Sequence, residues 1–160
     1  MHLKHAPVVD RKVRFALAGC GRIAANHFES LARHADRAEL VAVCDTAPEA
    51  LAAAQQRTGA RGYGHYSEMV AALAAGDGTV RGADCVVLTT PSGLHPQQAI
   101  EAAASGLHVM TEKPMATRWA DGLAMVKACD EAGVRLFVVK QNRRNRTLQL
   151  LREAILGGRF

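Results

Sequence analysis

Short apolar runs alternate with helical patterns along the whole chain, and this alternation restricts the possible folds more than any other feature. The runs are VRFALAG (13–19), ELVAVCD (39–45), ARGYGH (60–65), ADCVVLTT (83–90), LHVMTE (107–112) and VRLFVVK (134–140). The third is a poor strand, weakened by two glycines. The others are continuously apolar rather than alternating, which suits strands buried on both faces of a parallel sheet.

Helical patterns fill the gaps. Residues 22–35 place Ala24, Phe28, Leu31 and Ala35 on one face. Pro48 opens the next helix and Gly59 closes it; Ser67 caps a third, reaching about Ala75. Pro96 opens a fourth, with Ile100, Ala103 and Ala104 on one side and Gly106 beyond its end. Thr117 caps a fifth, whose Trp119, Leu123 and Val126 share a face, with Trp119 read as core and Gly133 as the stop. Residues 146–156 turn Leu148, Leu151 and Ile155 inward before Gly157. Strand–helix alternation with right-handed crossovers predicts an α/β, doubly wound parallel sheet in the order 3-2-1-4-5-6. One domain is expected over 13–160, preceded by a loosely ordered lead-in, 1–12.

Composition narrows the partners. At 49% hydrophobic, the chain can build a core without disulfides. Cys20, Cys44, Cys85 and Cys129 are far apart in sequence, which argues against a metal site with paired ligands, and three lie in apolar runs. Reduced cysteines of this kind fit the cytoplasm. No apolar run approaches the roughly 18 residues of a membrane span, and the lead-in lacks a signal peptide's apolar core. The net charge of +5 favours anionic partners such as nucleotide phosphates. The basic runs RKVR and KQNRRNR have no interleaved aromatics, so nucleic acid is not the expected partner.

The first turn reads AGCGRIA, with Gly19, Gly21 and Ala24 in a G-x-G-x-x-A pattern after a strand and before a helix. That context belongs to a dinucleotide-binding (Rossmann) turn. Gly19 permits the tight turn, Gly21 lets the backbone approach a pyrophosphate, and Ala24 allows close packing. The helix N-terminus then faces the phosphates. Asp45 ends the second strand about 20 residues further on, where an acid accepts from the adenine ribose hydroxyls and repels a 2′-phosphate. NAD is therefore favoured over NADP. A plain strand-end Asp capping the turn before Pro48 would look the same. TTPSGLHP (89–96) and TEKP (111–114) end the fourth and fifth runs beside the same crevice. Thr90, Ser92 and His95 can face the nicotinamide half, although His95 reads equally as a helix cap. Glu112 and Lys113 project toward the cleft, where a lysine can hydrogen-bond a substrate hydroxyl and tune its proton loss. His27 reads as packing or solvent-facing, and His108 as partly buried.

Taken together, AGCGRIA, the strand-end CD and TPSGLHPQQAIEAAASGLHVMTEKPMA resemble the amino-terminal domain of the Gfo/Idh/MocA oxidoreductases. The resemblance covers roughly 13–160. It implies a Rossmann domain, NAD, and oxidation of sugar or cyclitol hydroxyls, with Lys113 as the catalytic lysine. It also implies cofactor contacts from Gly19, Gly21, Arg22, Ile23, Asp45, Thr90, Ser92, His95, Glu112 and Gln141. Ser92 departs from the Asn often found there. VVKQNRRNRTLQLLREAI (138–155) is similar to the branch that oxidises UDP-N-acetylglucosaminuronic acid (UDP-GlcNAcA) at its C3 hydroxyl, in the building of bacterial lipopolysaccharide. Asn142 and Arg143, with Arg144 and Arg146, then meet the substrate's carboxylate or pyrophosphate; a solvated basic helix start explains the arginines equally well.

Family members continue into a second α/β domain that completes the sugar site. The chain as given ends where that domain would begin, and is expected to hold NAD without oxidising a sugar alone. The whole enzyme is expected to form a homo-oligomer. The rival reading is a non-catalytic NAD-binding sensor or co-repressor of the same fold, against which Lys113 argues. A methyltransferase would explain the glycine turn but not TEKP.

Overall fold

The computed structural model describes residues 8–75 and 82–159; residues 1–7 of the lead-in lie outside it. Six strands, β1 (Val13–Ala18), β2 (Ala38–Cys44), β3 (Arg61–Tyr63), β4 (Cys85–Leu88), β5 (His108–Thr111) and β6 (Leu136–Val138), form one sheet in the order β3-β2-β1-β4-β5-β6. Every pairing is parallel. The helices are α1 (Ala24–Arg33), α2 (Pro48–Thr58), α3 (Tyr66–Ala75), α4 (His95–Ala104), α5 (Trp119–Ala132) and α6 (Arg146–Leu156), with a 3₁₀ turn at Gln141–Arg144. This is the doubly wound sheet that the strand–helix alternation predicts.

Alternation along each strand feeds two cores. Leu17, Val43 and Val87 pack with Ala24 and Phe28 of α1 and Ala54 of α2. On the other face, Ala16, Ala18, Ala42, Val86 and Val109 pack with Met69 and Leu73 of α3, Ala99 and Ala103 of α4, and Met125 of α5. Burying a Leu, Val or Met side chain fully contributes about 1.5–3 kcal/mol relative to exposure. The alanines let α4 sit close to the sheet, which brings its N-terminal residue His95 down to 1% exposure.

Several helix faces differ from expectation. Trp119 is 83% exposed, and Leu123 and Val126 share its exposed face; α5 instead buries Gly122, Met125 and Cys129. Both stripes have helical spacing, and Gly122 marks the close one, since a Cβ there would sit 3.1 Å from Met115 Cε. In α4 the buried positions are His95, Ala99, Ala102 and Ala103, while Ile100 and Ala104 are exposed. Leu148, Leu151 and Ile155 of α6 are exposed rather than inward. Ala35 lies beyond the end of α1 and is exposed. Ser67 falls inside the first turn of α3, and Arg118, not Thr117, occupies the N-cap of α5. At α6 the cap is Asn145, whose side chain accepts from Thr147 N and Leu148 N. Gly59 and Gly133 end α2 and α5 with positive φ.

The end of the sheet opposite the crevice, where β1 and β4 begin, is pinned by Asp84. Its two carboxylate oxygens accept from the Arg11 guanidinium, each at 2.7 Å, and one also accepts from Arg14 N at 2.7 Å. Arg11 thereby ties the end of the lead-in to the start of β4. Burial alone would raise the Asp84 pKa; the Arg11 guanidinium and the Arg14 N–H outweigh it and hold the group below the ordinary carboxylate value. A depressed folded pKa stabilises above the unfolded value, near pH 4, and that stability is lost as pH falls through the folded pKa. Asp84→Asn should therefore cost about 1–2 kcal/mol at neutral pH, allowing for the partial exposure of Arg11. The difference from wild type should shrink below about pH 4, as read by urea unfolding at both pH values.

Candidate cofactor and active site

The site is built outward from the turn after β1. Gly19 has φ +91°, and a Cβ on it would lie 2.7 Å from Thr90 N and 2.8 Å from Thr89 C and O. Only glycine fits, for reasons of conformation and of contact together. The turn is held by Gly19 N donating to Cys44 O at 2.8 Å and by Cys20 N donating to Asp45 Oδ2 at 2.6 Å. Thr89 Oγ1 lies 2.9 Å and 2.6 Å from the carbonyl oxygens of Ala18 and Gly19. Gly21 is the opposite case: a Cβ there would meet nothing within 4 Å. The N–H groups of Gly21, Arg22 and Ile23 donate to no acceptor among the described residues. Arg22 and Ile23 are exposed. Free donors at the N-terminus of a ten-residue helix, beside a glycine open to approach, fit a dinucleotide's phosphates.

Asp45 stands next to this cradle. Its second oxygen, Oδ1, accepts from Ala47 N at 2.8 Å, so the carboxylate spans the glycine turn and the start of α2. Each oxygen retains lone-pair capacity for a ribose hydroxyl. Cys20 lies between the two glycines with its thiol half-buried. Burial first, then the nearby Asp45 and Cys44, push its pKa up to about 12, so it is a thiol rather than a thiolate at neutral pH.

The loop after β4 crosses the front of the turn. Thr90 Oγ1 donates to Gln98 Oε1 at 2.6 Å, and Ser92 is half-buried in the turn leading to α4. His95 is not an exposed cap. Its Nε2 lies 2.8 Å from Thr90 O and its Nδ1 3.0 Å from Pro114 O.

The chain leaving β5 faces the same crevice. Glu112 is 7% exposed, with Oε1 2.8 Å from His27 Nε2 and Oε2 accepting from Lys113 N at 3.2 Å. Lys113 is exposed, and its bond to Pro114 is cis. Gln141, Asn142, Arg143 and Arg144 lie on the exposed 3₁₀ turn after β6, and Arg146 begins α6. Gln149 Nε2 donates to Arg143 O at 3.2 Å, which joins this turn to α6. No hydrogen bond among the described residues joins it to the glycine turn. The structure thus gathers Gly19, Gly21, Asp45, Thr90, His95, Glu112 and Lys113 along one crevice and leaves the 141–146 group on a separate turn.

His27, read from the sequence as packing or solvent-facing, is half-buried beside Glu112. It is neither simple packing nor solvent-facing, since it pairs with Glu112. Its place one turn after Ala24, on the helix that opens at the cradle, was the available signal.

The model of the oxidoreductase family with an NAD-binding Rossmann fold, Gfo/Idh/MocA, matches residues 13–140. The chain belongs to the Gfo/Idh/MocA family. It carries the family's NAD-binding domain. It is similar to the 4-carboxy-2-hydroxymuconate-6-semialdehyde dehydrogenase of a Sphingobium species, at 33% identity over 91% of this chain and 44% of that protein. It is also similar to two WlbA dehydrogenases, each crystallised with NADH and UDP-GlcNAcA. The one from Chromobacterium violaceum is 62% identical with a TM-score of 0.88. The one from Bordetella pertussis is 63% identical with a TM-score of 0.87. Each comparison covers 96% of this chain and 42% of the other, so the chain spans less than half the length of these relatives.

The two glycines should separate cleanly on substitution. Gly19→Ala should destabilise the fold by about 2 kcal/mol or more through strain and backbone clash. Gly21→Ala should leave the melting temperature nearly unchanged and weaken NADH binding about tenfold or more. Thermal melts and fluorescence titration with NADH give both readings.

Proposed function

We propose that this domain serves an enzyme that oxidises a ring hydroxyl of UDP-GlcNAcA, at C3, with NAD as oxidant. The observation carrying the proposal is identity above 60% to two dehydrogenases crystallised with NADH and that nucleotide sugar, together with a crevice that presents a lysine beside the cofactor cradle. NAD, when bound, supplies the hydride acceptor. The chain's own residues do the rest. The N–H groups of Gly21, Arg22 and Ile23 hold the phosphates, and Asp45 accepts from the adenine ribose and disfavours a 2′-phosphate. Thr90, Ser92, His95, Glu112 and Gln141 form the surroundings of the nicotinamide half. Lys113 Nζ hydrogen-bonds the reacting hydroxyl and eases departure of its proton as the carbon gives up hydride. Asn142 and Arg143 recognise the uronate or pyrophosphate, where a guanidinium pairs with two oxygens at once.

The same reading makes the enzyme cytoplasmic, in keeping with four free cysteines, and gives it a place in building surface lipopolysaccharide. No helix among the described residues is long and apolar enough to cross a membrane. We also read the enzyme as a homo-oligomer, since Trp119, Leu123 and Val126 on α5 and Leu151 and Ile155 on α6 leave apolar surface exposed.

The test is to follow NADH absorbance when the whole enzyme meets NAD and UDP-GlcNAcA; no production of NADH would end the proposal. Lys113→Ala should cut turnover about a hundredfold or more, a barrier increase of about 2.7 kcal/mol, while NADH affinity persists. Asp45→Ala should weaken NAD binding and narrow its advantage over NADP, read by calorimetry with both cofactors.

A further inference from the structure

The turn that carries Lys113 is gripped from two helices, each time by a histidine. On one side, His27 of α1 contacts Glu112 Oε1 at 2.8 Å, and the other oxygen of that carboxylate accepts from the Lys113 N–H at 3.2 Å. On the other side, His95 of α4 contacts the carbonyl oxygen of Pro114 at 3.0 Å and that of Thr90 at 2.8 Å. The strand itself adds two more ties: Glu112 N donates to Leu88 O at 3.0 Å, and Thr111 Oγ1 donates to Glu112 O at 3.1 Å. His95 and Glu112 are 1% and 7% exposed, so water competes little for these bonds. Carbonyl oxygens only accept, and the neutral ring carries one N–H, so the His95 ring donates to one of these carbonyls at a time, the tautomer deciding which.

We propose that His27 and His95 are positioning residues for Lys113: His27, through Glu112, holds the peptide unit before it, His95 holds the peptide unit that follows Pro114, and together they fix where its side chain starts. His27 need not touch substrate or cofactor to act in this way. The arrangement also links Lys113 to the cradle by rigid elements. α1 offers its N-terminus to the phosphates and, one turn later, holds Glu112 through His27. Thr90, whose backbone abuts Gly19, is held to Pro114 by the His95 ring. A long flexible lysine is effective only if its root is fixed, because a misplacement of about 1 Å can cost about a hundredfold in rate.

The inference rests on the proposed role of Lys113, and its test has one arm that does not depend on that role. In this chain without cofactor, amide exchange at Lys113 followed by NMR should be about tenfold faster in His27→Phe than in wild type. His27→Gln, which keeps a donor at a similar reach, should restore the slow exchange. In the whole enzyme, His27→Phe should lower kcat about tenfold to a hundredfold with NADH affinity within about twofold of wild type, and His27→Gln should recover most of the loss. At position 95, Asn places its amide near the reach of Nδ1, toward Pro114, and Gln near that of Nε2, toward Thr90. His95→Asn should therefore retain more kcat than His95→Gln. Equal exchange in His27→Phe and wild type would overturn the proposal, as would equal losses in the Phe and Gln variants. A parallel fall of NADH affinity and kcat in His27→Phe would also overturn it, by showing that His27 supports the fold at large. Failure of the wild-type enzyme to oxidise UDP-GlcNAcA would count against the substrate reading, with the exchange arm still deciding the grip on Lys113.

Discussion

The crevice depends on one close approach, that of the turn after β1 to the loop after β4. At Gly19 the two backbones are separated by less than a side chain, since a Cβ would be 2.7 Å from Thr90 N. The sheet reverses its direction of winding here, between β1 and β4, where helices pass to opposite faces and a crevice opens at the carboxyl ends of the strands. Other parts of the site are spaced from this contact. Thr89 is bound to the turn through its hydroxyl, Thr90 carries the carbonyl that meets His95, and His95 reaches the exit of β5. The position of Lys113 is therefore measured from Gly19 through a short series of backbone contacts.

The unequal sizes of the residues on the two faces of β1 serve the same end. Leu17 points to the α1–α2 side, while Ala16 and Ala18 point to the α3–α5 side. Small residues on the second side share one core with Ala99, Ala102 and Ala103 of α4, all fully buried. Close packing of small groups forgoes some apolar area per residue, but it lowers α4 until a histidine at its first position becomes internal. A bulkier α4 interface would hold the helix further out, and its N-terminus could no longer join the β4 loop to the β5 exit.

Much of this was legible in the sequence because it follows from local pattern. Continuous apolar runs gave strands buried on both faces, and Gly59 and Gly133 marked helix ends by their backbone conformation. The glycine turn and TEKP landed where strand ends must lie in such a sheet. What stayed hidden depended on which of two plausible faces a helix turns inward. In α5 the stripe of Trp119, Leu123 and Val126 is more apolar than that of Gly122, Met125 and Cys129, yet the second is buried. Hydropathy scores how strongly a side chain avoids water, whereas the face turned inward here is the one whose Gly122 allows close approach. The pairing of His27 with Glu112 was hidden for another reason: it joins residues far apart in the chain, and neither one signals the other.

Asp45 shows how a structural demand and a binding demand can coincide in one residue. Its two oxygens each accept one bond, from Cys20 N and from Ala47 N, so both oxygens take part in tying β2 to the glycine turn and to the start of α2. An asparagine would turn an amide nitrogen toward one of those N–H groups, and donor would face donor. The acid is thus required by the fold on its own account, and its presence at a strand end does not by itself specify a ribose partner. Yet the same two bonds hold a negative charge still, beside three free N–H groups that suit an anion. A carboxylate already oriented by the backbone needs no reordering to receive a ribose hydroxyl, and its two hydrogen bonds oppose its swinging aside for a 2′-phosphate, which fits the role proposed for Asp45. The proposed preference for NAD over NADP therefore rests on how the acid is held as much as on its charge.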